Sequence, residues 1–219
     1  MSMLDLYFIR HAESQRNLEP HLIGGRSFDS LLSSLGKEQA SLLGKRLASQ
    51  GVFFQHVSSS TAVRCRETAV VAGQDLGFSL QDIVFSDQLL ELDQGQWEGQ
   101  PRMQIYTPKT LAQINSNNWE FTPPRGESQK TVEERMLAFI QTNILPLYRE
   151  GIPLTCGIFS HGVAIKCLLR GIMGFTPRIT YKILLDNTSI TRLQYDGRGW
   201  HLLSVNDTAH LFGKPTENT

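Results

Sequence analysis

Short apolar runs that read as buried strands alternate along this chain with stretches of helical periodicity. That alternation restricts the fold to layered α/β arrangements. Leu4-Asp5-Leu6-Tyr7-Phe8-Ile9 is the first strand, rich in aromatic and branched residues. A polar, glycine-containing loop, His21 to Ser34, follows. A helix is expected from about Leu35 to Gln50, with Ser33 or Ser34 as N-cap and Gly51 as its stop. Val52 to Ser58 reads as a second strand. The next helix, about Ala62 to Leu76, has Ser60 or Thr61 near its cap and Gly77 at its end. Ile83 to Phe85 is a short third strand.

The segment from Leu89 to about Arg125 has only patchy helical periodicity and contains Trp97, Trp119, Pro101, Pro108, Pro123 and Pro124. Its part from about 97 to 125 is expected to cover the working edge of the sheet. Thr131-Val132-Glu133-Glu134 reads as a capping box. The helix it opens has an apolar face of Val132, Met136, Phe139, Ile140, Ile144 and Leu147, shortened or kinked by Pro146. Pro153 to Phe159 is another buried strand, and Val163 to Met173 a helix ended by Gly174. Ser189–Tyr195 and Trp200–Val205 flank Asp196-Gly197-Arg198-Gly199, a hairpin signal. A single domain over 1–212 is expected, with a frayed tail over 213–219.

Composition narrows the classes of partner. The chain has 219 residues, 40% apolar and 19% charged, with 21 basic and 21 acidic side chains. No global positive field draws it to nucleic acid or to an anionic membrane, so any anion must be held by a local cluster of cations. No apolar stretch approaches transmembrane length, and Met1-Ser2-Met3-Leu4-Asp5 lacks the features of a signal peptide, so a cytoplasmic location is expected. Cys65, Cys156 and Cys167 are widely spaced and form no CxxC pattern. They read as reduced, buried thiols, not as metal ligands.

Chemistry concentrates where strands end. Arg10-His11 follows the first strand directly, Arg64 opens the helix after Val57-Ser58-Ser59-Ser60, and His161 follows the strand that ends at Phe159. In an α/β sheet the ends of parallel strands lie along one edge, so these groups can converge. Helix N-termini at the same turns add N–H donors suited to an anion. Glu91 lies in Leu90-Glu91-Leu92-Asp93-Gln94-Gly95-Gln96-Trp97-Glu98-Gly99, where Asp93 and Glu98 compete with it for any acid role. Singly, each has an ordinary explanation: a loop histidine, a surface arginine like Arg66, a turn residue such as Asn187, Thr188 or Ser189, a structural His210, or a Trp97 that packs beneath a loop.

Taken in order, these segments resemble the histidine phosphatase superfamily, the phosphoglycerate mutase-like proteins. Arg10-His11-Ala12-Glu13-Ser14 with Asn17 matches the family's RH[GA]ExxxN signature. Leu32-Ser33, Gly36 and Gln39-Ala40 resemble PLTxxGxxQA, with Leu31 where proline is usual. Ser60 to Ala69 resembles SDLxRAxxTA, keeping Arg64 and Thr68-Ala69 but with Thr61 and Ala62 replacing Asp-Leu. Glu91 to Gly99, Gly126-Glu127-Ser128 and Ser160-His161-Gly162 resemble the remaining motifs.

The resemblance implies a three-layer α/β/α sandwich with a mostly parallel central sheet. It implies that His11 is a nucleophile that becomes phosphorylated and that Glu91 is the general acid and base. Arg10, Arg64 and His161 would neutralise the phosphoryl oxygens, with Ser14, Asn17, Gly24 and Gly162 as further phosphate or substrate contacts. No metal and no cofactor would be needed. The expected activity is that of a phosphomonoester phosphatase on a small phosphorylated metabolite, with a homodimer as one arrangement among relatives. Two alternatives stand beside it: a 2,3-bisphosphoglycerate-dependent phosphoglycerate mutase, and a non-catalytic module that binds phosphorylated ligands. Against the mutase, Val163 and Gln94 stand where the family's mutases carry Asn and Tyr. Between Glu91 and Gly126 only Arg102, Lys109 and Arg125 supply cations.

Overall fold

The structure, a computed structural model, describes residues 3–212. Its centre is a six-stranded sheet of β1 (Leu4–Arg10), β2 (His56–Ser60), β3 (Ile83–Ser86), β4 (Leu154–Ser160), β5 (Ile190–Tyr195) and β6 (Trp200–Asp207). Their order is β3-β2-β4-β1-β5-β6. The pairs among β3, β2, β4 and β1 are parallel, whereas β5 and β6 add antiparallel to the β1 side. The hairpin expected around Asp196-Gly197-Arg198-Gly199 is thus the antiparallel flank of an otherwise parallel sheet.

Alternation along β1 explains the layering. Leu4, Leu6 and Phe8 face one side, where they pack with Ile158, Val132, Met136, Phe139, Ala164, Ile165 and Leu168. Tyr7 and Ile9 face the other side, with Leu43, Leu47, Ala69, Ala72 and Phe159. The first group belongs to the side covered by helices α5 (Gln129–Phe139) and α6 (Gly162–Met173). The second is covered by α1 (Ser34–Ser49) and α2 (Val63–Leu76). A sheet buried on both faces needs apolar residues at successive positions, which is why β1 carries a nearly continuous apolar run.

Several boundaries differ from expectation for identifiable reasons. The ladder of β2 begins at His56, not Val52, because Val52 N–H bonds back to Leu47 O and completes the end of α1. Ser33 caps α1 as expected, its Oγ accepting from Gly36 N–H at 2.9 Å. Helix α5 starts two residues before Thr131: Ser128 is the N-cap, its hydroxyl accepting from Thr131 N–H at 3.1 Å. After Phe139 the helix widens into a π turn over Ile140–Ile144 and then tightens into a 3-10 turn carrying Pro146. That change of winding turns Leu147 off the buried stripe, and it is 41% exposed. The covering segment contains two short helices, α3 (Arg102–Ile105) and α4 (Pro108–Asn117). The expected tail over 213–219 lies outside the described residues. Cys65, Cys156 and Cys167 are free and buried, and no helix among the described residues is long and apolar enough to cross a membrane.

Candidate active site

Register places the site. Arg10 is level with Ser160, and Ser59 with Phe159, so β1, β4 and β2 end on one line. The residues that follow, His11 and His161, therefore lie side by side, with ring centroids 5.2 Å apart in an edge-on arrangement. Arg64, in the first turn of α2, reaches the same point. Its Nη2 donates to His161 Nδ1 at 3.0 Å, and its Nη1 donates to Arg26 O and Ser27 O at 2.7 and 2.9 Å. A cleft of about 220 Å³ opens here, lined by Arg10, His11, Ser14, Asn17, Gly24, Arg64 and Glu91 among others.

His11 is fixed in one tautomer by its surroundings. Its Nδ1 lies 2.7 Å from Ala12 O, and a carbonyl can only accept, so Nδ1 carries the proton. The Nε2 lone pair is left available. Burial first, and then Arg64 and Arg10, hold the His11 pKa well below 6.5, which keeps the ring neutral near pH 7. The loop carrying it is held from several sides. Ala12 N–H donates to Thr68 Oγ1, Asn187 Nδ2 donates to His11 O, and Thr188 N–H donates to Arg10 O. His210 Nε2 in turn meets Thr188 Oγ1 at 2.8 Å.

The two arginines are anchored differently. Arg64 is tied to the backbone carbonyls of residues 25–27, which fix its plane. Arg10 Nη1 donates to Leu185 O, while its Nε is buried without a partner in the protein. A buried donor left unpaired is uncommon and calls for an acceptor. Glu91 sits at the N-terminus of α6. Its carboxylate accepts from Leu92 N–H, Val163 N–H and Ala164 N–H at 2.9, 3.1 and 3.0 Å, a position the helix dipole favours for a negative group.

The expected residues do not all line the cleft. His161 is wholly buried and stands one layer behind it. Its Nε2 meets Ser60 Oγ at 2.8 Å, its Nδ1 is taken by Arg64, and burial with neighbouring Arg64 lowers its pKa well below 6.5. It braces the Arg64 guanidinium from behind. Gly162 likewise faces the Arg10 side chain and is not part of the cleft wall. Ser14 donates to Asn17 Oδ1 at 3.0 Å, so this pair shapes the wall together. Neither rival carboxylate borders the cleft. Asp93 accepts from Gly95 N–H, and Glu98 accepts from Arg26 N–H and Ser27 N–H. Glu98 thereby shapes the loop whose carbonyls hold Arg64. Gly25 in that loop has a φ of +147°, and a Cβ there would lie 2.0 Å from Glu98 Oε1.

Arg16 and Tyr106, not singled out from the sequence, and Arg102, counted there only as a cation of the covering segment, all line the wall; Asn187 and Thr188, read there as turn residues, also hold the His11 loop. Their place just before a strand that starts at the same edge is the signal in the sequence for that role. Burial raises the Cys65 pKa to about 12, so the thiol beside His161 is inert at neutral pH.

Known proteins resemble this chain over nearly its whole length. A family model described as the histidine phosphatase superfamily (branch 1) matches residues 6–208. "Probable phosphoglycerate mutase GpmB" of Salmonella arizonae is 32% identical over 216 residues, covering 95% of each chain. The structure of Bacillus stearothermophilus YhfR superposes with a TM-score of 0.81 at 28% identity, covering 95% of this chain and 99% of that one. Phosphoserine phosphatase from Entamoeba histolytica, solved with 3-phosphoglyceric acid, gives 0.78 at 25% identity, with 95% and 99% covered.

Proposed function

The chain belongs to the histidine phosphatase superfamily, and on that footing we propose that it is a phosphomonoester phosphatase that works through a phosphohistidine. The observation that carries the reading is the His11 tautomer: Nδ1–H is spent on Ala12 O, and the Nε2 lone pair is left free in a cleft that Arg10 and Arg64 also line. Nε2 attacks phosphorus, and the P–N bond forms as the P–O bond to the alcohol breaks. Glu91 passes a proton to the departing oxygen. Water then attacks the phosphohistidine, Glu91 takes its proton, the P–N bond breaks, and inorganic phosphate leaves with the His11 lone pair restored.

Charge on the transferring group is met by the Arg10 and Arg64 guanidinium groups, which keep their charge and match phosphoryl oxygens in geometry. Asn17 and Ser14 shape the wall beside them. The arginines supply what a metal ion would otherwise bring, so turnover is expected in EDTA. The substrate is a small phosphorylated metabolite.

Hydrolysis of p-nitrophenyl phosphate in EDTA tests the reading, with acid-quenched phosphoenzyme as the second readout. Undiminished turnover by His11→Ala would remove the mechanism. The mutase named among the relatives is the rival reading. Rapid isomer exchange of 3-phosphoglycerate with little phosphate release would favour it.

A further inference from the structure

We propose, resting on the phosphatase reading, that the substrate's alcohol is uncharged and carries a planar apolar body. That body would seat in an aromatic chamber opening off the phosphate cleft. The chamber, of about 320 Å³, shares Leu92, Gln94, Arg102 and Tyr106 with the cleft, so one molecule can occupy both. Its far walls are Trp97, Phe121, Leu111, Ile114 and Tyr181. Trp97 and Phe121 stack at 5.5 Å between centroids, and Tyr106 meets Trp97 edge-on at 6.1 Å. Trp97 thus packs in the covering segment, as its sequence context suggests, and also presents a ring to the chamber. Leu111 and Tyr181 are 43% and 63% exposed, apolar surface left for a ligand to cover.

The charges at the Glu127 end of the chamber argue against an anionic group there. Glu127 lines the chamber, with Arg135 donating to both of its oxygens and Arg26 3.6 Å away. Asp93 faces Arg26 in turn at 3.4 Å. This network balances two acids with two bases, so a ligand carboxylate seated beside Glu127 would meet no unpaired cation. Arg102 stands at the junction with the cleft, its Nε donating to Leu22 O and its guanidinium 5.8 Å from the Tyr106 ring centroid. Arg178 borders an outer opening past Tyr181, outside the chamber wall.

The test compares kcat/KM for 2-phenylethyl phosphate and 3-phosphoglycerate. Both leave through an alkyl oxygen, so the contrast reports the body of the alcohol. The aromatic ester is expected to be preferred by about tenfold or more, which corresponds to ~1.4 kcal/mol. Phe121→Ala and, separately, Leu111→Lys should each lower that ratio by about fivefold or more; the second does so by adding a cation to a partly exposed helix position. Equal or better use of 3-phosphoglycerate, or variants that leave the ratio in place, overturns the inference. Phosphoenzyme formed equally from both esters overturns only this inference. Phosphoenzyme from neither overturns the phosphatase reading and the inference with it.

Discussion

At the scale of single residues, two features of His11 make the reading testable: a locked tautomer and a depressed pKa. Because burial and two arginines hold that pKa well below 6.5, the ring stays unprotonated as pH falls through the ordinary histidine range. The acid limb of kcat/KM, read from a pH–rate profile, should therefore lie well below pH 6.5. Arg64→Gln removes one of the cations responsible and should move that limb upward, besides slowing turnover by about 10²–10³-fold through lost stabilisation of the phosphoryl charge. Glu91→Gln keeps an acceptor at the α6 N-terminus but cannot relay a proton. It should cost about 10²–10⁴-fold in kcat, and less with p-nitrophenyl phosphate, whose leaving group scarcely needs protonation. An equal loss with p-nitrophenyl and alkyl esters would argue against the acid role.

At the scale of elements, the site depends on how α1 and α2 brace the His11 loop. Ser33 caps α1 and also donates to Glu13 Oε1 at 2.6 Å, while Ser33 N–H donates to Glu13 O. Ser33→Ala should cost about 1 kcal/mol, from the cap alone, in denaturant unfolding. Gly36 lies against the same loop, and a Cβ there would stand 2.0 Å from Glu13 O, with backbone as the obstacle. Gly36→Ala should therefore cost about 1–3 kcal/mol and lower turnover as well, since the displaced loop carries the nucleophile. A Gly36→Ala protein with normal stability and normal kinetics would show that this contact is relaxed at no cost.

At the scale of the whole molecule, acid should loosen the fold because several histidines are held neutral. His210 is the clearest case: burial, and then Arg46, lower its pKa to about 4. The sign follows from proton binding. Below about pH 6.5 the unfolded chain takes up a proton that the folded chain refuses until about pH 4. The native state therefore loses stability as pH falls through that window, and holds it fully above the window. His11 and His161 act in the same direction. Denaturant midpoints measured from pH 7 to pH 4.5 should decline steadily, and His210→Gln should flatten part of the decline. A midpoint independent of pH across the window would mean these rings are not held neutral.

What could be read from the chain alone was whatever depends on local order. The alternation of strand and helix, the double-sided burial of β1, the caps at Ser33 and Gly77, and the placing of Arg10, His11 and Arg64 at strand ends all rest on neighbours in sequence, whereas only the family resemblance set Glu91 apart from Asp93 and Glu98. Boundaries slipped where two nearby groups could serve equally: Ser128 outcompeted Thr131 as a cap, and Val52 closed a helix instead of opening a strand. What tertiary structure decided was orientation among distant groups. Only the packing of β2 against β4 shows that His161 spends its nitrogens on Ser60 and Arg64, one layer behind the cleft. Only the folded covering segment brings Trp97, Phe121 and Tyr181 around one space. Residue order dictates which groups can reach the sheet edge. Which way each side chain points there depends on hydrogen bonds and contacts between segments that are far apart in the chain, and no local pattern encodes those.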